Sequence, residues 1–262
     1  MTTAAIRLEV SGGVARLVLT NAERGNPIDA RFCNEMCEAA IVIADNPEVR
    51  AVLITAEGKA FSFGGDVSSF VDDLDGLPSN IRRWTTTLHS AIARLQRMDA
   101  PIVSAVHGIC AGGMSGFIAG SDIVVAAPEA KFVAAYAGIG FSCDASSSIM
   151  YSRRMGLART RRFLLLNQVL DARAALDAGL VDEVVEASAL NARAEEIAAQ
   201  LASGPTRAFG EIRRLLLSAS DQPLETQLEL EAQALARVTG SADAREGLTA
   251  FAQKRKPTFT GR

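Results

Sequence analysis

Histidine is nearly missing from this 262-residue chain, which holds only His89 and His107, and lysine occurs only as Lys59, Lys131, Lys254 and Lys256. Two histidines cannot by themselves make a metal site. The four cysteines, Cys33, Cys37, Cys110 and Cys143, form no Cys-x-x-Cys pair that would help build one. Nor do they reach the density of a disulfide-stapled secreted domain, so free thiols in a reducing cytoplasm are expected. Positive charge is not in surplus: 27 Lys+Arg stand against 30 Asp+Glu, a net charge of −3. That balance excludes the basic footprint of a nucleic-acid binder. The first ten residues, Met1 to Val10, lack the apolar core of a secretory leader. The dinucleotide pattern GxGxxG, the P-loop GxxxxGK[ST] and the hydrolase pattern GxSxG are all missing.

One run, Ala100 to Ser121, contains no charged residue and is long enough to span a bilayer. Pro101, His107 and five glycines interrupt it, which predicts a short strand, a glycine loop and a small-residue helix inside a core. No membrane partner is expected.

Ile6, Leu8 and Val10 alternate with polar residues, Gly12-Gly13 turns, and Val14 to Leu19 is apolar again, predicting a β-hairpin. Asp29 is a natural N-cap for a helix with Phe32, Met36, Ala39, Ala40 and Ile43 at helical spacing, halted by Asn46-Pro47. Apolar strands at 49–55, 102–106 and 122–127 alternate with helical stretches. That order predicts an α/β core with parallel pairing. Beyond Asp171 the chain reads as helices at 189–203, 205–218, 223–238 and 242–253, with 182–185 as the one further strand candidate. The expected division is a core of residues 1–199 and a helical C-terminal region of residues 200–262.

Two glycine loops follow predicted buried strands, Gly58 to Asp66 and His107 to Gly113. Both offer backbone N–H groups with little side-chain cover, the raw material of an oxyanion hole. Glycines that merely permit tight turns and close packing would give the same pattern, and composition alone favours that simpler reading.

The order of the motifs goes further. Gly58-x-x-Phe61-Ser62-x-Gly64-x-Asp66, then Pro101 to Gly108, Ala111-Gly112-Gly113, Asp122 to Phe132, Ala178-Gly179-Leu180-Val181 and the C-terminal Arg245-Glu246-Gly247 to Gly261 resemble the enoyl-CoA hydratase/isomerase (crotonase) family over nearly the whole chain. The resemblance implies a crotonase-like spiral of ββα and βαβ turns, assembled as a homotrimer or a dimer of trimers. It implies an acyl-CoA thioester as substrate, an enolate as intermediate, and no metal or other cofactor, coenzyme A being part of the substrate. Carried over by position, the oxyanion N–H groups fall on Phe63 and Gly113. Gly64, Gly65 and Asp66 fall along the adenine end of coenzyme A, and Arg24 and Lys256 are candidates for its phosphates, Lys256 across a subunit boundary.

Hydratases of the family use two glutamates, and their positions here hold Gly116 and Tyr136. Without that carboxylate pair, water addition loses its usual agents. Gly116 also predicts room for a bulky acyl group. Asp144 lies eight residues after Tyr136, where isomerases and a dehalogenase of the family carry a catalytic aspartate. An aspartate before Ala145-Ser146-Ser147 is also a natural helix cap. The favoured expectation is an isomerase with Asp144 as acid and base, on resemblance to the phenylacetyl-CoA branch. The alternative is a 4-chlorobenzoyl-CoA dehalogenase-like displacement with Asp144 as nucleophile and His89 preparing water. A catalytically degenerate acyl-CoA binder is the third reading. Tyr136 is expected to shape the pocket or hydrogen-bond the substrate.

Overall fold

The computed structural model describes residues 4–262; Met1–Thr3, part of the segment read for a leader, lie outside the described residues. Strands β1 (Ile6–Ser11) and β2 (Val14–Leu19) pair antiparallel across Gly12-Gly13. Both glycines have positive φ, 58° and 77°, as the two-residue turn that matches strand twist demands. Helix α1 (Ala30–Asp45) starts where the Asp29 carboxylate accepts the Phe32 N–H at 2.9 Å, and it buries the apolar stripe expected of it.

Strand β3 (Ala51–Ala56) continues the sheet parallel to β2. A short helix, α2 (Val67–Val71), then precedes α3 (Leu77–Arg97). Strands β4 (Ile102–Val106) and β5 (Ile109–Ala111) and helix α4 (Gly112–Ala119) divide the charge-free run much as its glycines predict. Among the described residues no helix is long and apolar enough to cross a membrane. Next come β6 (Ile123–Ala126), β7 (Lys131–Val133), α5 (Ser147–Met155), α6 (Leu157–Leu165), β8 (Val169–Asp171), α7 (Ala172–Ala178) and β9 (Glu183–Val184).

The larger sheet has the order β1-β2-β3-β4-β6-β9, and every pairing after the first is parallel. Its central strands are buried on both faces. Val52 and Ile54 face a cluster with Leu17, Met36 and Leu95, while Ala51, Leu53, Val103 and Val125 face Leu190 and Ile197 of α8 (Leu190–Ala202). Two-sided burial is why these strands read as continuous apolar runs. A smaller sheet, β5-β7-β8, was not legible as such, since its three-residue strands carry no usable periodicity.

Helices α9 (Thr206–Ser218), α10 (Leu224–Thr239) and α11 (Ala242–Ala252) complete the chain. The division placed after residue 199 falls within α8, one continuous helix packed on the sheet. Polar contacts bind the C-terminal part to itself and to the core. Asp243, 3% exposed, accepts the N–H groups of Thr260 and Gly261 at 2.7 and 2.8 Å, and Arg50 donates to the carbonyls of Gly204 and Phe259. Arg213 of α9 is buried against the end of α3, donating to the carbonyls of Leu95, Met98 and Ala100 and pairing with Asp122 at 2.9 Å. The Leu95 and Met98 carbonyls are ones that the end of α3 leaves without internal partners, and Ala100 lies just beyond it. Arg213→Ala is therefore expected to cost about 3 kcal/mol, because it strands a partly buried carboxylate and those carbonyls. A lowered denaturant midpoint checks this; an unchanged midpoint would mean that apolar packing alone holds α9.

Candidate active site

The two glycine loops leave the C-terminal ends of β3 and β4 and run against each other, at the strand ends where parallel sheets place ligands. Ser62 donates its N–H to the Ile109 carbonyl at 2.9 Å, and Ala111 donates to the Ser62 carbonyl at 2.9 Å. Gly64, at φ +83°, passes so close that a Cβ would stand 2.8 Å from the Ala111 carbonyl oxygen. Only glycine fits there. Asn26, buried and at positive φ, braces the first loop: its Nδ2 donates to the carbonyls of Glu57 and Phe61 at 2.9 and 3.0 Å. Sequence reasoning passed over Asn26, although an asparagine before a proline is a recognised turn signal.

Most N–H groups of the first loop are engaged. Phe63 donates to the Gly25 carbonyl at 2.9 Å, Gly64 to the Ser62 hydroxyl at 3.0 Å, and Asp66 to the Ile28 carbonyl at 3.2 Å. Gly65 has no such partner among the described residues. At the start of α4 the N-cap Ala111 offers no side-chain acceptor, which leaves the Gly113 N–H free. The expectation for Phe63 is thus corrected: the free pair of N–H groups is Gly65 and Gly113, and Phe63 contributes its half-exposed ring.

Both glycines line a cavity of about 470 Å3. Among the described residues that line it, Asp144 is the only one with a charge. It stands at the start of the oxyanion helix, where a Cβ on Gly113 would lie 3.1 Å from Asp144 Oδ1. The Tyr136 hydroxyl donates to that oxygen at 2.8 Å and lies 3.0 Å from the Ser147 hydroxyl. Burial, and next the Asp144 charge, push the Tyr136 phenol well above its ordinary range, so it stays protonated. Ala145 and Ser146 both adopt positive φ, and the Ala145 N–H donates to His89 Nε2 at 3.1 Å. His89 is exposed and does not line the cavity. It holds the backbone beside Asp144 and does not face the space a substrate would fill.

The room expected at Gly116 is not there. A Cβ on Gly116 would stand 2.0 Å from the Ser147 hydroxyl and 2.9 Å from the Ser147 Cβ. The fully buried Ser147 fills the space that a side chain at position 116 would need. The apolar end of the cavity is instead shaped by aromatic rings. Phe70 stacks on Trp84 and on Phe141, with centroids 6.0 Å apart in each pair and planes inclined by 26° and 18°. Cys33 also faces the cavity, but burial, aided by the charges of Asp29 and Asp144, pushes its thiol up to about 12, leaving it neutral.

Arg24 forms ion pairs with Asp66 and, at 3.1 Å, with Asp29, while half of its side chain stays exposed. Burial works to raise the Asp66 carboxyl, yet bonds from Ser68, Arg24 and Ser69 outweigh it and hold the group below its ordinary value. Asp66 therefore anchors Arg24 and is not free to meet a ligand. Lys256 lies elsewhere. The tail that follows it is held by Arg50, just before β3, whereas the glycine loop follows β3, a strand about 20 Å long.

The family model for enoyl-CoA hydratase/isomerase matches residues 9–262. The 1,2-epoxyphenylacetyl-CoA isomerase of Escherichia coli is 33% identical over 257 residues, covering 97% of each chain. The 4-chlorobenzoyl coenzyme A dehalogenase-2 of an Arthrobacter species is 31% identical, covering 95% of this chain and 91% of that one. The crystal structure of an enoyl-CoA hydratase from a Polaromonas species overlays with a TM-score of 0.91 at 29% identity, covering 97% of this chain and 99% of that one. The expected α/β crotonase-like fold with a helical C-terminal region is therefore the observed one. With both glycine loops and the Asp144 loop inside the matched region, the chain belongs to the enoyl-CoA hydratase/isomerase family.

Proposed function

We propose that this enzyme is an isomerase of enoyl-CoA thioesters, in which Asp144 moves a proton along the acyl chain while the N–H groups of Gly65 and Gly113 hold the enolate oxygen. The observation that carries this reading is the single carboxylate lining the cavity, set against two N–H groups with no other acceptor. One carboxylate suffices for a proton shuttle. Hydration calls for a second acid–base group, and Tyr136 and Gly116 provide none. Coenzyme A enters as part of the substrate, and the chemistry needs no separate cofactor. Arg24, paired with Asp66 next to the cavity-lining Gly65, and Lys256 of a neighbouring copy are the proposed phosphate contacts.

The displacement reading, with Asp144 as nucleophile, is favoured by the ring-lined cavity and by the dehalogenase relative. It requires a base for ester hydrolysis, and His89, outside the cavity with Nε2 already accepting the Ala145 N–H, is badly placed for that role. The aromatic wall of Phe70, Trp84 and Phe141 suits the isomerase reading equally well, for a flat or ring-bearing acyl group. The exposed Leu216, Leu228, Leu248 and Phe251 of residues 200–262 are proposed to be covered in a homotrimer or dimer of trimers in the cytoplasm.

Incubating wild-type protein with enoyl-CoA thioesters in D2O should add deuterium without adding water. Asp144→Asn should lower that rate by about a thousandfold, as expected for loss of a positioned acid–base group. Mass spectrometry reads both, and full activity in the variant or a gain of water by the alkene would overturn the isomerase reading. 4-Halobenzoyl-CoA should release no halide, and release would establish displacement instead. Trp84→Ala should lower kcat/KM for a phenyl-bearing thioester about tenfold while affecting a short alkyl thioester less. Equal losses on the two substrates would count against the aromatic preference.

A further inference from the structure

The two oxygens of Asp144 are not equivalent. Oδ1 accepts the Tyr136 hydroxyl at 2.8 Å, whereas Oδ2 accepts no hydrogen bond from any described residue. A phenol has one proton to give. With that proton directed at Asp144, the 3.0 Å contact between Tyr136 and Ser147 has the Ser147 hydroxyl as donor. Tyr136 is only 8% exposed and Ser147 is fully buried, so the link from Ser147 to Tyr136 is buried, while the bond on to the half-buried Asp144 is partly open. The bend at Ala145 and Ser146, braced by His89, fixes the carboxylate from its other side.

We infer that Tyr136 is a positioning residue that occupies Asp144 Oδ1 throughout turnover and leaves Oδ2 as the single oxygen that both takes and returns the substrate proton. The inference rests on Asp144 acting as the base. In the first step the C–H bond breaks, its electron pair enters the thioester enolate, and the proton forms an O–H bond to Oδ2. In the second step that O–H bond breaks, and the extended enolate uses its own electron pair to form a new C–H bond two carbons away. Nothing is oxidised or reduced. Because one oxygen serves both steps, both carbons must present the same face of the acyl chain. Because Oδ1 is already hydrogen-bonded, the acid proton cannot pass to it without breaking the Tyr136 bond, so internal return competes with exchange to water and part of the proton reaches the receiving carbon unexchanged.

The test uses an enoyl-CoA deuterated at the carbon that loses its proton, turned over in ordinary water, with the retained label measured at the receiving carbon. Wild-type protein is expected to deliver a substantial fraction of the label internally. Tyr136→Phe should fold, bind the thioester with unchanged KM and lose about tenfold in kcat, the worth of one hydrogen bond to a carboxylate. Its ratio of internal transfer to solvent exchange should fall with kcat. Complete washout in the wild type, or the same ratio in Tyr136→Phe, overturns the inference. If circular dichroism shows that Tyr136→Phe is unfolded, Ser147→Ala reads the same chain, with a smaller fall expected and an unchanged ratio overturning it. Transfer that survives in Asp144→Asn overturns the base assignment itself. Loss of transfer there, with an unchanged ratio in Tyr136→Phe, leaves that assignment standing and removes only the role of Tyr136.

Discussion

The contact between two stretches of bare backbone, residues 62–64 against 109–111, is what the rest of the site depends on. Strand-like bonds between Ser62, Ile109 and Ala111 lock the two loops together. That lock is possible only because Gly64 carries no side chain where the Ala111 carbonyl passes. Its consequence is electrostatic. Two N–H groups, one in a loop and one at a helix start, belong to residues lining one cavity and have no acceptor among the described residues, and the helix dipole of α4 adds to their field. Asn26 holds this arrangement from beneath by satisfying carbonyls that the loop would otherwise leave buried and unpaired.

A second constraint is charge. Asp144 sits in a mostly apolar cavity with no other ionised group among the residues lining it. A second carboxylate close by would oppose its ionisation. Tyr136, kept neutral by burial, gives Asp144 a hydrogen-bond donor with no charge of its own, and Ser147 seals the position opposite Gly116. On the proposed reading, Gly116 and Tyr136 at the positions the resemblance assigns to two glutamates leave one base and a neutral support, with no empty space at Gly116.

Much of this was legible in the residues themselves, and the boundary of legibility has a physical cause. The hairpin, the Asp29 cap, the parallel strands, the glycine loops and the C-terminal helices all follow from local periodicity or turn chemistry, and each lies where expected. Position relative to family motifs also brought Asp144, Gly113 and Tyr136 to one cavity. What could not be read was which donor is already engaged. The Phe63 N–H is taken by Gly25, far back in the chain, and the space at Gly116 is taken by Ser147 far ahead of it. Both are long-range contacts with no local signature. The same holds for the short strands of the smaller sheet.

The division of labour between backbone and side chains explains why membership of this family constrains the intermediate more tightly than the reaction. The groups proposed to hold the enolate are main-chain N–H donors, fixed by loop geometry and indifferent to neighbouring side chains so long as the glycines remain. The proposed proton carrier, Asp144, is a side chain on the segment from Tyr136 to Ser147, a stretch with positive-φ bends at Ala145 and Ser146 and little regular structure. Changing those side chains alters which bond is made or broken without disturbing the loops that stabilise the charge. On the proposed reading, a chain that keeps Gly65 and Gly113 but presents one carboxylate beside a buried phenol retains the means of holding an enolate without the carboxylate pair that would add water to an alkene.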